Sequence, residues 1–363
     1  MSYITLSAEQ WREISRRLFC AWGASEEIAD CVAGSLVDAD LAGIYSHGVI
    51  RVADYIGYIK AGWWQPESRP EIVRESPATV VVDGHYGFGQ PAAHLALDAA
   101  ILKARRLGIA AASVVHSGHI GRLGEYAEKA AQEGVIALIA ASSAGNGGVV
   151  VPYGGAERVF STNPIAAGVP AHEHAPFIMD FATTVIAAGK IEMAPDKDAK
   201  IPEGWAVDAE GRPATTIRQF LEGGGLIHMG GHKGYSLALL VELLCGALTG
   251  AGVSKAKKPR GPGFGGNSAF MIVLNIAHFT DEEQFYGDVD GLFGRLKAVK
   301  PAPGSPGVMI PGAPEIAERE KRSRTGITVD RAIWERIVAV AIERQVDLSS
   351  FQDLAGPQVA EAS

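Results

Sequence analysis

The chain is poor in several things that would mark particular classes of protein. It has three cysteines in 363 residues, Cys20, Cys31 and Cys245. None is paired in a CxxC spacing, so neither a disulfide framework nor a thiolate metal knuckle is expected, and a reducing, cytoplasmic setting is. Basic residues do not dominate: Lys and Arg number 33 against 41 Asp and Glu, a net charge of -8. Nucleic acid and anionic membrane are therefore not the expected partners. No stretch reaches the roughly 18 consecutive apolar residues of a membrane helix, and MSYITLSAEQWREI lacks the basic-then-apolar pattern of a secretory leader. Repeats and low-complexity tracts are absent.

Also missing is a complete dinucleotide fingerprint. Gly87-Phe88-Gly89-Gln90-Pro91-Ala92 matches G-x-G-x-x-[GA] in the required place, after a strand and opening a helix. The carboxylate expected ~20 residues on, at the end of the next strand, is not there; that strand ends at His116-Ser117. A second match, Gly261 to Gly266, precedes a strand instead of following one. A conventional Rossmann site is not expected.

What the sequence does have is an ordinary globular balance, 47% hydrophobic and 20% charged, with 44 glycines gathered in short runs between apolar segments. Ser7 reads as an N-cap before Trp11, Ile14 and Leu18, and Ser25 before Ile28, Val32 and Leu36. A third helix is expected from Ser46 through Val49, Val52 and Ile56 to about Gly62, which makes the first 65 residues helical. From residue 79 the texture alternates. Strands are expected at 79–84, 109–117, 134–143, 165–170, 177–182 and 269–276; helices at 91–106, 122–133 and 234–252, the last buried on most sides. Two amphipathic helices follow at PEIAERE and ITVDRAIWERIVAVAIERQ, and the tail after Leu354 should fray. The alternation indicates an α/β domain.

Four clusters carry potential chemistry. In Ser46-His47-Gly48-Val49-Ile50-Arg51, with Tyr55 beyond, a continuous helix would align His47, Arg51 and Tyr55 at i, i+4 and i+8. Arginine grips carboxylates through two parallel hydrogen bonds, and an adjacent imidazole moves a proton near neutral pH. The bland alternative is a solvated stripe. His116-Ser117-Gly118-His119 lies at a strand end, where open α/β sheets bind ligands, and its H-x-x-H spacing brings no third metal ligand. Ser161-Thr162-Asn163-Pro164 and Asp180-Phe181-Ala182-Thr183-Thr184 offer short polar groups for a cofactor, or ordinary turn and helix-cap chemistry for a helix containing Ile186 to Met193. His232-Lys233-Gly234 opens a helix, and a lysine there opposes the helix dipole unless an anion sits beside it. His116, His119, His172, His174, His228 and His232 together also raise a metal-dependent hydrolase as the alternative of a different class.

Taken in order, SHGVIR, HSGHIGRLGEYAEKA, STNPIAAGVP, MDFATT, IPEGWAVDAEGRPAT and GGHKGYSLALLVELLCGALTGA resemble the type-2 malate/L-lactate dehydrogenase family over about residues 5–345. That family also includes ureidoglycolate, sulfolactate, diketogulonate and cyclic imino acid (piperideine- or pyrroline-2-carboxylate) oxidoreductases. The resemblance implies a non-Rossmann α/β fold with a mixed sheet covered by helices and a helical lobe formed by both chain ends. It implies NAD or NADP as cofactor, no metal, a small 2-hydroxy or 2-oxo acid as substrate, and a homodimer. Three segments are expected: 1–75 on the substrate side with dimer contacts, 76–300 for the cofactor, and 301–363 packing back on the first. By resemblance Ser46, His47, Arg51 and Tyr55 bind substrate, His119 transfers the proton with His47 second, and Thr162, Asp180, Phe181, Ala182, Thr183, His232, Lys233 and Gly234 contact the cofactor. The loop from Ser142 to Gly148 departs from the family pattern, so no substrate-selecting residue carries over from it.

Overall fold

The computed structural model describes residues 3–143, 148–192, 197–254 and 260–352. The tail and most of the Ser142–Gly148 loop lie outside these. Its centre is a seven-stranded mixed sheet of β2 (Glu71–Glu75), β3 (Thr79–Asp83), β4 (Ile109–Ser117), β5 (Val135–Ser142), β6 (Ile165–Val169), β7 (Phe177–Phe181) and β10 (Asn267–Asn275), in the order β2-β3-β4-β10-β5-β6-β7. Of the neighbouring pairs in this sheet, β3–β4 is parallel and the others are antiparallel. β3 and β4 are joined through α4 (Gly89–Leu107), whose alanine-rich face, from Ala92 to Ala104, packs on the sheet. Small side chains let this helix and α5 (Leu123–Gln132) lie close to Val114, Ala137 and Met271.

Both chain ends build a second core. β1 (Tyr3–Leu6) pairs antiparallel with β11 (Ile327–Asp330), and around this ribbon pack α1 (Ala8–Ala21), α2 (Glu26–Leu41), α3 (Arg51–Lys60) and α11 (Arg331–Glu343). Trp11 is fully buried there, its indole N–H donating to Ile327 O at 3.1 Å. Ser7 caps α1, as its sequence context suggested, and also closes a capping box with Gln10. A third core unites Val150, Phe160, Phe220 and Leu226 with the short α6 (Ala188–Glu192), α7 (Ile217–Leu221) and the two-residue strands β8 (Ala206–Val207) and β9 (Gly225–Leu226).

Several expectations are corrected. The first 65 residues are not all helical: Leu6 ends a strand, and Ile327–Asp330, read as helix, is its partner. Neither strand has meaning alone, because each satisfies its backbone only on the other. β2 was not anticipated; all five of its residues are exposed, which leaves no alternation to read. The apolar helix of 234–252 is α8 (His232–Glu242) continued by a π-helical turn over Leu243–Leu248, and it is not buried on most sides. Leu240, Leu243 and Leu248 are 49%, 50% and 65% exposed. α9 (Glu282–Lys297) and α10 (Ala313–Thr325) complete the layers, and α10 lies against α2.

Candidate active site

A cleft of about 950 Å³ opens between the N-terminal lobe and the β6–β7 edge of the sheet. Ser46, His47, Arg51, His119 and Arg122 line one wall; Thr162, Pro164, Asp180, Phe181, Ala182, Thr184 and 185–189 line the other. Glu315, in the first turn of α10, closes one side.

His47 and Arg51 do not share an α-helix. Tyr45–His47 is a single 3-10 turn and α3 begins only at Arg51. The turn is held from behind by Asp40, 1% exposed at the end of α2, whose Oδ2 accepts from Val49 N at 2.7 Å. Burial pushes the Asp40 carboxyl up to about 7, against the pull of the Val49 N–H and Arg322. Gly48 is required there: a Cβ would stand 2.1 Å from Asp40 Oδ1. The sharp turn folds His47 back over the start of α3, so Arg51 Nε donates to Ser46 O at 2.6 Å and Nη1 pairs with Asp54 at 3.2 Å. Nη2 has no protein partner among the described residues.

The His47 and His119 rings lie side by side on this wall, centroids 5.3 Å apart and tilted by 31° to each other. Ser46 Oγ lies 2.9 Å from His47 Nδ1. Burial first, then Arg51 and Arg122, bring His47 down to about 4. Burial, His47 and Arg51 likewise hold His119 well below the ordinary imidazole value. Both rings are neutral at pH 7 without a bound anion. Tyr55 does not reach the cleft. One turn into α3 it faces the core among Phe19, Trp64 and Phe88, 1% exposed, with its hydroxyl 2.7 Å from His119 Nδ1. The stripe expected at i, i+4 and i+8 is thus two cleft residues and one core residue beneath them.

On the opposite wall, Thr162 and Pro164 face the cleft, while Asn163, fully buried with a positive φ of 38°, turns away to hold α8 through Ala238 O at 2.9 Å and Glu242 at 3.0 Å. Thr183 is not in the cleft lining. Its N–H and Oγ1 both donate to Thr162 O, at 3.0 and 2.9 Å, clipping the two segments together. Asp180 caps α5, accepting from Gly124 N at 2.7 Å, and not the helix after Ile186. Although it opens onto the cleft, surrounding protein pushes its carboxyl up to about 6, opposed by the Gly124 N–H and Arg122. His232 and Lys233 are exposed and outside the cleft lining; Gly234 is buried behind Thr183.

Three residues were not singled out from the sequence. Asp40 gives no signal of its own. Arg122, 3% exposed, lies inside HIGRLGEY and bridges Asp38 at 2.9 Å and Glu128 at 3.0 Å; Arg319 of α10 pairs with the same two carboxylates. This network ties α10 to the cleft wall. Gln90, fully buried, lies inside the failed fingerprint and donates to Tyr55 at 3.2 Å. The glycines of that fingerprint serve packing: a Cβ on Gly89 would stand 2.3 Å from Gly118 O, so the start of α4 lies directly against the His119 loop.

The six histidines considered for a metal site do not converge. His116 pairs with Asp83 at 2.9 Å on the surface, His119 is in the cleft, His172 stacks on Tyr286, and His228 packs between Phe160 and Tyr235. His174 lies near Phe293 and His232 near Tyr153. Among the described residues no group of three or more His, Cys, Asp or Glu is placed to hold a metal ion.

The family model described as malate/L-lactate dehydrogenase matches residues 6–338. A malate dehydrogenase of Pyrococcus abyssi is 35% identical over 347 residues, covering 94% of this chain and 95% of its own length. A Δ1-pyrroline-2-carboxylate/Δ1-piperideine-2-carboxylate reductase of Pseudomonas putida is 37% identical over 327 residues, 88% of this chain and 91% of its own. The solved structure of a sulfolactate dehydrogenase from Methanocaldococcus jannaschii superposes with a TM-score of 0.87 at 34% identity, covering 96% of this chain and 99% of that one. By sequence and by fold alike, this chain belongs to the malate/L-lactate dehydrogenase family.

Proposed function

We propose that the protein is an NAD(P)-dependent oxidoreductase that moves a hydride between the nicotinamide and C2 of a small 2-hydroxy or 2-oxo acid of the malate or L-lactate type. The observation that carries this reading is the convergence of Arg51, His47 and His119 on one wall of a cleft whose other wall carries an apolar patch. Phe181 is 36% exposed there beside Pro164, Ala182 and Ala187. Such a surface suits the face of a planar ring, and Thr162 and Thr184 supply hydroxyls for an amide, so the residues fit a nicotinamide. When bound, that group gives or takes the hydride at C2.

The chain's own residues do the rest. Arg51 presents Nη2 to the substrate carboxylate and fixes which face of C2 is turned to the apolar patch. The bound carboxylate offsets the Arg51 charge that helps hold His119 neutral, so acid binding favours protonation of His119. His119 then holds that proton at the C2 oxygen as negative charge develops; in the reverse direction it receives it. His47, hydrogen-bonded to Ser46, supports the same oxygen or the carboxylate. Thr183 and Gly234 support the cofactor wall from behind, and Lys233 at the start of α8 is the cation for a phosphate of the cofactor extending out of the cleft.

The Pseudomonas putida relative favours a second reading, reduction of a cyclic 2-imino acid, which presents the same carboxylate beside a C=N group; ureidoglycolate and sulfolactate fit the same clamp. A screen of NADH and NADPH oxidation against 2-oxo acids and cyclic imino acids decides among them, and no turnover with any member would defeat the proposal.

On the same footing we propose a homodimer, supported by the exposed Leu240, Leu243 and Leu248, and a cytoplasmic location, supported by three unpaired cysteines. The division at residues 75 and 300 is also proposed, supported by the shared core of the two chain ends.

A further inference from the structure

Two donors converge on one nitrogen of His119. The Tyr55 hydroxyl lies 2.7 Å from Nδ1, and Gly121 N–H donates to the same atom at 3.2 Å. The Tyr55 oxygen in turn accepts from Gln90 Nε2 at 3.2 Å, which leaves the hydroxyl proton to point at the imidazole. Nδ1 is therefore an acceptor, and the neutral ring carries its proton on Nε2, the nitrogen left for a ligand. Gln90 is fully buried, and its second amide atom, Oε1, has no partner. An unused acceptor in so enclosed a place is costly unless it is used in another state.

That other state follows from the chemistry of the ring. Once His119 is protonated, and still after Nε2 has passed its proton to the C2 oxygen, Nδ1 carries a proton and faces the Tyr55 oxygen, so the hydroxyl proton needs a new acceptor. A half-turn of the Gln90 amide brings Oε1 to it. In the reverse direction it is this Nδ1–H form that receives the proton on Nε2. The ionisable groups facing His119 are His47 from the 3-10 turn and Arg51 and Tyr55 from α3, with Asp54 paired to Arg51. None of them is placed to take the Tyr55 proton; Gln90, reaching in from α4, is.

We propose that Gln90 is a positioning residue for His119: acting through the Tyr55 hydroxyl, it keeps Nε2 turned to the cleft and lets one hydroxyl serve both the neutral and the protonated ring. The inference rests on the proposed role of His119 in holding the proton, and it extends that role to a residue that touches neither substrate nor cofactor.

The test uses full-length protein labelled with 15N-histidine and long-range 1H–15N spectra, with Tyr55→Phe and Gln90→Met beside the parent. Near pH 7.5, without substrate, the parent is expected to show His119 as the Nε2–H form alone. Each variant is expected to show both tautomers, with the other histidines unchanged. With whichever acid turns over, each variant is expected to lower kcat roughly tenfold or more while KM for the acid moves less than about threefold. The double variant should be no slower than Tyr55→Phe, because both act through one oxygen. A parent carrying its proton on Nδ1, or an unchanged tautomer in Tyr55→Phe or Gln90→Met, overturns the proposal. The spectra need no substrate, so a failure of the assigned reaction stays distinguishable from a failure of this pair. Tyr55→Phe removes a single oxygen and serves alone if Gln90→Met does not fold.

Discussion

The two walls of the cleft are built by opposite means. On the lobe side, charged and titratable side chains are held by other side chains: Asp40 behind the His47 turn, Tyr55 beneath His119, Asp54 on Arg51. On the sheet side the work falls to main chain and small residues, with Thr183 clipped to the Thr162 carbonyl and Phe181, Ala182 and Pro164 forming the surface. Under the proposed function, the first wall performs the chemistry and the second docks the cofactor. Substitutions on the lobe wall should act on turnover or acid binding, and those on the sheet wall on cofactor affinity.

Away from the acid-binding and proton-holding residues themselves, the strongest break expected is Gly48→Ala. Its Cβ would displace the Asp40 carboxylate, so both His47 and Arg51 lose their support; kcat/KM should fall about a hundredfold or more, and thermal unfolding should move down by several degrees. If Gly48→Ala keeps both, the Asp40 brace is not what shapes the turn. Next comes Ala182→Leu, a bulky side chain on the docking wall. Titration by fluorescence should show NAD(P)H binding weakened roughly tenfold, while KM for the acid at saturating cofactor changes little; the reverse split would merge the two walls into one.

Asp40 also gives the lobe wall a pH signature. Its folded value, about 7, lies above the unfolded 3.8, so the folded state holds the extra proton and the cost of the buried charge grows as pH rises from about 4 to about 7. His47, down to about 4 from 6.5, acts in the opposite sense: its contribution is present above pH 6.5 and is lost as pH falls towards 4. The two oppose each other across one window. Asp40→Asn should therefore stabilise the protein at pH 7.5 by ~1–4 kcal/mol, with a gain that shrinks towards pH 4. Denaturant midpoints at the two pH values measure it, and a gain independent of pH would remove the buried charge from the account. The smallest effect belongs to Lys233→Ala, exposed and beyond the cleft: NAD(P)H affinity should drop ~2–5-fold at low salt and less at high salt. No change at either salt would detach the α8 start from the cofactor.

Much of this was legible in the chain, for identifiable reasons. Strands β3 to β7 and β10 announced themselves because they are apolar runs bounded by turn residues, and Ser7 and Ser25 capped the helices their spacing indicated. The β1–β11 ribbon was invisible because its partners come from opposite ends of the chain. His47, Arg51 and Tyr55 matched a helical repeat that the chain does not follow: the turn held by Asp40 intervenes, and the match still named the two cleft residues. Gln90 was hidden inside a glycine motif that resembled a phosphate loop and proved to be a packing device. Side chains that act from the second layer leave no pattern in sequence, since only the folded chain brings α4 beneath α3.

The central claim, that Arg51 holds the acid while His119 holds its proton, is tested most directly by steady-state kinetics of Arg51→Ala and His119→Ala with the best 2-oxo acid and saturating reduced nicotinamide. The account predicts that Arg51→Ala raises KM for the acid about a hundredfold and that His119→Ala lowers kcat by ~10²–10⁴ with KM little changed. An unaltered kcat in His119→Ala, or an unaltered KM in Arg51→Ala, would contradict it.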